Sequence, residues 1–192
     1  QAMSMSEYQR VIQYANTALH GTKGDLSPAL QADLYTMQAR AFARLGDRSA
    51  CHAHMEKAET LAGRIRHAEE PAETSYVQAG LVETQLSEAL RQLGDLTAAE
   101  DYALESVRTA HLAHTRGQVH RYAGLAVIRA QRSRVDEALP AAWEMLERTG
   151  GMESSRLHER VRSVRNALAH RSEEPEVRAF VEQADDQLML EL

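Results

Sequence analysis

The chain has 192 residues, 43% of them apolar and only 5% aromatic, which suits one domain with a core of Ala, Leu, Val and Met. A formal charge of -6 argues against a surface that grips a polyanion all round, and a single cysteine excludes an internal disulfide framework and fits a reducing compartment. No apolar run approaches the roughly 18 residues of a membrane span and no signal peptide opens the sequence, so a soluble, cytoplasmic protein with no membrane partner is expected.

Helical periodicity begins near the start. Between Ser6 and His20, Val11, Ala15, Ala18 and Leu19 recur on one face. The break Gly21-Thr22-Lys23-Gly24-Asp25 ends that helix, and Ser27-Pro28 supplies an N-cap followed by proline at the first helical position. The next helix is predicted to run to about Arg44, where the tight turn Leu45-Gly46-Asp47 folds a second helix back on it as far as Gly63. Ala68-Glu69-Glu70-Pro71 interrupts the pattern, and a new helix is expected from near Thr74, with Val82, Leu86, Ala89, Leu90 and Leu93 as its stripe. Farther on, Leu125 and Ala126 mark one helix and Ala138, Ala142 and Met145 the next, which Thr149-Gly150-Gly151 stops. Leu157, Val161, Val164 and Leu168 form another face. After Ser172-Glu173-Glu174-Pro175 come Val177, Phe180, Val181 and Ala184.

These segments repeat. Leu93-Gly94-Asp95 restores the turn Leu45-Gly46-Asp47 after 48 residues, with Ala98-Ala99 where Ala50-Cys51 stood. Tyr35, Ala39 and Phe42, then Cys51, Met55 and Ala58, fall on the apolar slots of a tetratricopeptide (TPR) repeat, whose minimal length is about 34 residues. The longer period implies longer helices or a longer connection. A third copy from Tyr122 to about Leu146 is degenerate: Ser133 replaces the turn glycine, Arg129 replaces Phe42, and Pro140 enters the second helix early enough to bend it. Val11, Ala15 and Ala18 match the second-helix slots, so the first helix reads as half a repeat whose partner lies upstream of Gln1. Such units stack to bury their faces. The predicted fold is all-α, a TPR-like α-solenoid of about nine antiparallel helices in stacked helix-turn-helix pairs, forming one domain over 1–192.

The run Ala41-Phe42-Ala43-Arg44-Leu45-Gly46-Asp47, the Glu70-Pro71 break, Leu93-Gly94-Asp95 and Arg160-Val161-Arg162-Ser163-Val164-Arg165-Asn166-Ala167-Leu168 resemble the sensor region of actinobacterial Xre/Cro-type helix-turn-helix regulators. The resemblance covers nearly the whole chain. In that family a small DNA-binding domain precedes a tetratricopeptide-like array that dimerises and recognises a peptide, a small molecule or a partner protein. The sequence contains no helix-turn-helix segment of its own, so DNA contact is expected only through a domain N-terminal to it. A homodimer is expected also because the tail Leu188-Met189-Leu190-Leu192 offers apolar surface.

Residues that could carry chemistry have plainer readings beside them. His111 and His114 stand at i, i+3, close enough on a helix to share a metal, yet no third ligand is placed, and neither metal nor cofactor is expected. Cys51 lies early in a helix, where a thiol can be activated; its alignment with Ala99 and Ala138 favours packing. Trp143 is either a core or subunit contact or a ligand-stacking platform. No Ser, His and acid arrangement and no Gly-rich phosphate loop is visible, so catalysis is not expected. Between Arg156 and Arg171 the arginines outnumber acids. They either pair with the acidic stretch after Glu173 or, at Arg162 and Arg165, contact an anion.

Stacked helix pairs curve, and the first helices line the concave side. Thr36, Arg40 and Arg44, then Gln85, Glu88 and Gln92, then His120, Ala123, Val127 and Gln131, are the first-helix residues expected to face a groove that takes a peptide, small molecule or protein. Arg40 and Arg44 are one turn apart and could clamp a carboxylate, or else pair with Glu88. Two functions fit: the sensor domain of a transcriptional regulator, or a stand-alone adaptor binding protein segments.

Overall fold

A computed structural model describes residues 5–21, 26–110, 114–150 and 154–189. Among them are nine α-helices, two short 3-10 helices and no strand. The helices are α1 (Met5–Gly21), α2 (Pro28–Leu45), α3 (Arg48–Ala62), α4 (Leu81–Gln92), α5 (Leu96–Arg108), α6 (Thr115–Gln131), α7 (Val135–Thr149), α8 (Ser155–Leu168) and α9 (Pro175–Met189). None of them is long and apolar enough to cross a membrane.

The helix boundaries follow from local chemistry. Ser27 caps α2, its Oγ accepting from the Leu30 N–H at 3.3 Å, and Pro28 occupies the first position, where a missing N–H costs nothing. At the other end Gly46 adopts φ 77, and the Gly46 and Asp47 N–H groups bond back to the carbonyls of Ala43 and Phe42. Asp47 then caps α3 by accepting from the Ala50 N–H at 2.9 Å. The turn therefore stops one helix and starts the next within two residues. Gly94 at φ 81 and Asp95, which accepts from Ala98 N–H at 3.2 Å, do the same between α4 and α5. Between α6 and α7 the left-handed position falls on Ser133 at φ 59, with the Arg134 N–H bonded back to the Arg129 carbonyl. The third turn keeps the backbone without the glycine or the capping aspartate.

The chain divides into two compact units, Gln1–Tyr102 and Ala103–Leu192, with the division inside α5. In the first, α2 packs against α1, α3 and α4. A helix covered on three sides needs small residues most of the way round, and Ala29, Ala32, Ala39, Ala41 and Ala43 are all buried. Cys51, Met55 and Ala58 of α3 are buried, while Tyr35 and Phe42 are half-buried around the His54 ring, at 5.9 and 4.9 Å between centroids. In the second unit α6 packs on α7 and α8, and α9 packs on α7 and α8. Leu157, Val161, Val164 and Leu168 of α8 meet Val177, Phe180 and Ala184 of α9 in a core where none of the seven is more than 1% exposed.

Several expectations are corrected. No α-helix starts near Thr74: Ala72–Thr74 form one 3-10 turn, and α4 begins at Leu81. Gly80 sits at φ 81, a left-handed conformation that an α-helix cannot pass through. The residues before it instead run back along α2. Glu70 accepts from the Ala29 N–H at 3.2 Å and from the Thr74 hydroxyl at 3.1 Å, and the Tyr76 hydroxyl donates to Asp33 at 2.8 Å. Val181 is half-buried and not part of the α9 core. His111, the break over 22–25, Gly151 and the tail residues Leu190 and Leu192 lie outside the described residues.

Candidate functional site

In the first unit the expected groove residues of α2 and α4 meet one another. Arg40 donates from Nη1 to Gln85 Oε1 at 2.5 Å, and Arg44 approaches Glu88 at 3.5 Å. Glu88 is also held by Arg91, whose Nε and Nη2 donate to its two oxygens at 3.2 and 2.8 Å. Arg48, the first residue of α3, donates to the Leu93 carbonyl beside the second Gly-Asp turn at 2.8 Å. Arg40, Arg44 and Arg48 form a ladder that ties α2 and the start of α3 to α4, and Arg91 braces Glu88 within α4. The Arg44–Glu88 rung is long and 40% and 23% exposed, so water screens it and a competing carboxylate can exchange into it at little cost. Gln92 is exposed at the end of the ladder.

Thr36 does not belong to this face. It is buried, on the same stripe as Ala32, Ala39 and Ala43, and its hydroxyl donates to the Asp33 carbonyl at 2.7 Å. Ala123 and Val127 of α6 are likewise buried, because α7 and α8 cover that helix on two sides.

In the second unit His120 accepts a hydrogen bond at Nδ1 from Arg160 Nε, at 3.1 Å, which leaves the ring proton on Nε2. Burial first, and the positive charges of Arg160 and Arg156 after it, push the His120 pKa down to about 4. At neutral pH this is an uncharged imidazole under a guanidinium. Gln131 is exposed at the end of α6. Arg165 is clasped by Asp185 of α9, with both Nε and Nη2 engaged at 3.0 and 2.8 Å, and Arg171 by Glu174 at 2.8 Å. The basic stretch therefore pairs with its acidic neighbour at these two positions. Arg162 is exposed.

Cys51 is fully buried with its Sγ 3.9 Å from the Met55 sulfur, and burial pushes its thiol pKa up to about 11. That is a packing thiol and not an activated one. Among the described residues no group of three or more His, Cys, Asp or Glu could hold a metal ion. Trp143 is half-buried, meeting Phe180 edge to face at 5.3 Å with the rings at 90°. It has a core contact and an open side together. A shallow cleft of about 440 Å³ lies between α2 and α3, lined by Gln31, Tyr35, Glu56, Lys57, Thr60 and Leu61, with the Lys57 ammonium 5.3 Å over the Tyr35 ring.

Two polar contacts had no signal in the sequence. Gln38 is fully buried and donates to Asn16 Oδ1 at 2.7 Å and to the Ile12 carbonyl at 3.4 Å, which joins α2 to α1. Ser87 donates to the Ala99 carbonyl at 2.7 Å, joining α4 to α5. Both side chains look like surface residues by type alone.

No protein-family model, no curated protein and no solved structure matches this chain.

Proposed function

We propose that the chain is the TPR-like sensor and interaction domain of a transcriptional regulator of the Xre/Cro type, acting from the cytoplasm as a homodimer. The observation that carries this reading is the recurring helix-turn-helix: three turns, at Gly46, Gly94 and Ser133, share one left-handed backbone, and the first helix of a pair packs on the first helix of the next, α2 on α4 and α6 on α8. That pattern is what repeat stacking requires. A peptide, small molecule or protein binds along the polar ladder of α2 and α4, with Arg40, Arg44, Gln85, Glu88 and Gln92 as its contacts. His120 and Gln131 offer a separate polar edge on α6. Binding there favours one arrangement of the helices over another, and a DNA-binding domain joined to the chain reads the difference.

The coding sequence ahead of Gln1 tests the regulatory half of the proposal. An in-frame helix-turn-helix domain is the expected result, and a frame without one leaves an adaptor that binds protein segments. The dimer is checked by light scattering at high micromolar concentration, where Met189, 68% exposed, contributes to the apolar surface to be covered. A monomeric mass at that concentration refutes it.

A further inference from the structure

A groove lies between α7 and α9 in the second unit. It measures about 330 Å³ and is lined by Asp136, Leu139, Pro140 and Trp143 from α7 and by Glu176 and Ala179 from α9. We propose that it binds the side chain of a lysine or arginine carried by an extended polypeptide segment, with Trp143 as the aromatic plate and Asp136 and Glu176 as the anionic rims.

Three observations carry the proposal. The first is the match of chemistry. Tryptophan attracts cations more strongly than the other aromatic side chains, and here the described lining adds two carboxylates and no cation. Three tyrosines elsewhere carry a cation from the chain itself: Arg10 lies 5.9 Å over Tyr14, Lys57 5.3 Å over Tyr35 and Arg148 4.7 Å over Tyr122. The second is preorganisation. The perpendicular contact with fully buried Phe180 sets the plane of the indole, and both acids sit in the first turns of their helices, Asp136 in α7 and Glu176 in α9.

The third is shape. Asp136, Leu139, Pro140 and Trp143 form a single stripe along two turns of α7, about 10 Å long at 1.5 Å per residue. That is the reach of about three extended residues, whereas the volume is near the lower end for ligand pockets and holds one long side chain. A chain segment fills both the length and the pocket. A free organic cation fills only the pocket.

Trp143 is the only tryptophan in the chain, so intrinsic fluorescence reports this groove alone. The full chain is titrated with a blocked pentapeptide carrying one central arginine, with the same peptide carrying glutamine instead, and with methylguanidinium. The arginine peptide is expected to give a saturable change with a Kd on the order of 1 mM, and methylguanidinium to bind at least about tenfold more weakly. Asp136→Asn with Glu176→Gln is expected to weaken the arginine peptide about fivefold to tenfold, both residues being exposed and the helical content unchanged by circular dichroism. Equal binding of the glutamine peptide, or no fluorescence response to the arginine peptide, overturns the cation site. Methylguanidinium binding as tightly as the peptide overturns the polypeptide occupant. The comparison among the three probes needs no substitution, so a variant that fails to fold does not decide the matter.

Discussion

Replacing glycine by alanine at two positions of this chain should change stability in opposite directions. At Gly94, φ is 81 and an added Cβ meets nothing within 4 Å, so the substitution introduces no clash with a neighbour. What remains is the left-handed backbone, which costs a Cβ-bearing residue roughly 1–2 kcal/mol. The stiffer unfolded chain returns about 0.4–1 kcal/mol of that. Gly94→Ala should therefore destabilise by about 1 kcal/mol. Gly124 lies within α6 with ordinary helical backbone, and a Cβ there also meets nothing within 4 Å. Alanine exceeds glycine in a helix by about 0.8–1 kcal/mol, so Gly124→Ala should stabilise by about that much. Ser133 provides the converse case. It already bears a Cβ at φ 59, and Ser133→Gly should recover about 0.5–1 kcal/mol by relieving it. Unfolding in urea, followed by far-ultraviolet circular dichroism, measures all three. In thermal unfolding each 1 kcal/mol moves Tm by about 2–4 °C for a chain of this size. If Gly94→Ala and Gly124→Ala shift the midpoint in the same direction, the assignment of the turn conformation is wrong.

Two further outcomes follow from buried titratable groups. His120 has its folded pKa depressed to about 4, so the unfolded chain, with an ordinary value near 6.5, binds a proton that the fold does not. Stability from this group is complete above about pH 6.5 and is lost as pH falls towards 4, by about 2 kcal/mol once the partial exposure of the ring is discounted. His120→Gln keeps an acceptor for Arg160 and should remove most of that loss; an unchanged pH profile of the unfolding free energy refutes the assignment. Cys51, buried and with its thiol pKa pushed up to about 11, should react with a thiol-specific disulfide reagent only as fast as the first unit opens. Stoichiometric reaction within the mixing time of a native sample contradicts the packing described for α2 and α3.

The turns were legible in the sequence because their chemistry is local. A residue in the left-handed region calls for glycine and a helix start calls for aspartate, so Gly46-Asp47 and Gly94-Asp95 announce both at once. The stripe of α8 was legible because only one face of that helix is buried, and Leu157, Val161, Val164 and Leu168 mark it. Reading failed where a helix is covered on several sides. Periodicity names one inner face, whereas α2 has neighbours on three, and so Thr36 is buried although it was expected to face the groove, as is Gln38, whose type alone is that of a surface residue. For Arg44 the pairing with Glu88 was one of the alternatives. The pairing of Arg40 with Gln85 across 45 positions was not, since nothing in a single sequence reports which turns of two separate helices come level. The late start of α4 was not legible because Gly80, which sets it, lies nine residues beyond Pro71, where the helical pattern breaks.

The connection between α3 and α4 is bonded to α2 through Glu70 on Ala29 and Tyr76 on Asp33. A segment anchored this way does not fray as an independent loop. Its opening exposes the Ala29 amide at the start of α2, so amide hydrogen exchange should find residues near Ala29 and the anchored part of the connection released in one step. Shortening the connection towards the minimal repeat would then lower the cooperativity of the whole first unit, and a mobile linker would replace what is now part of its folding unit.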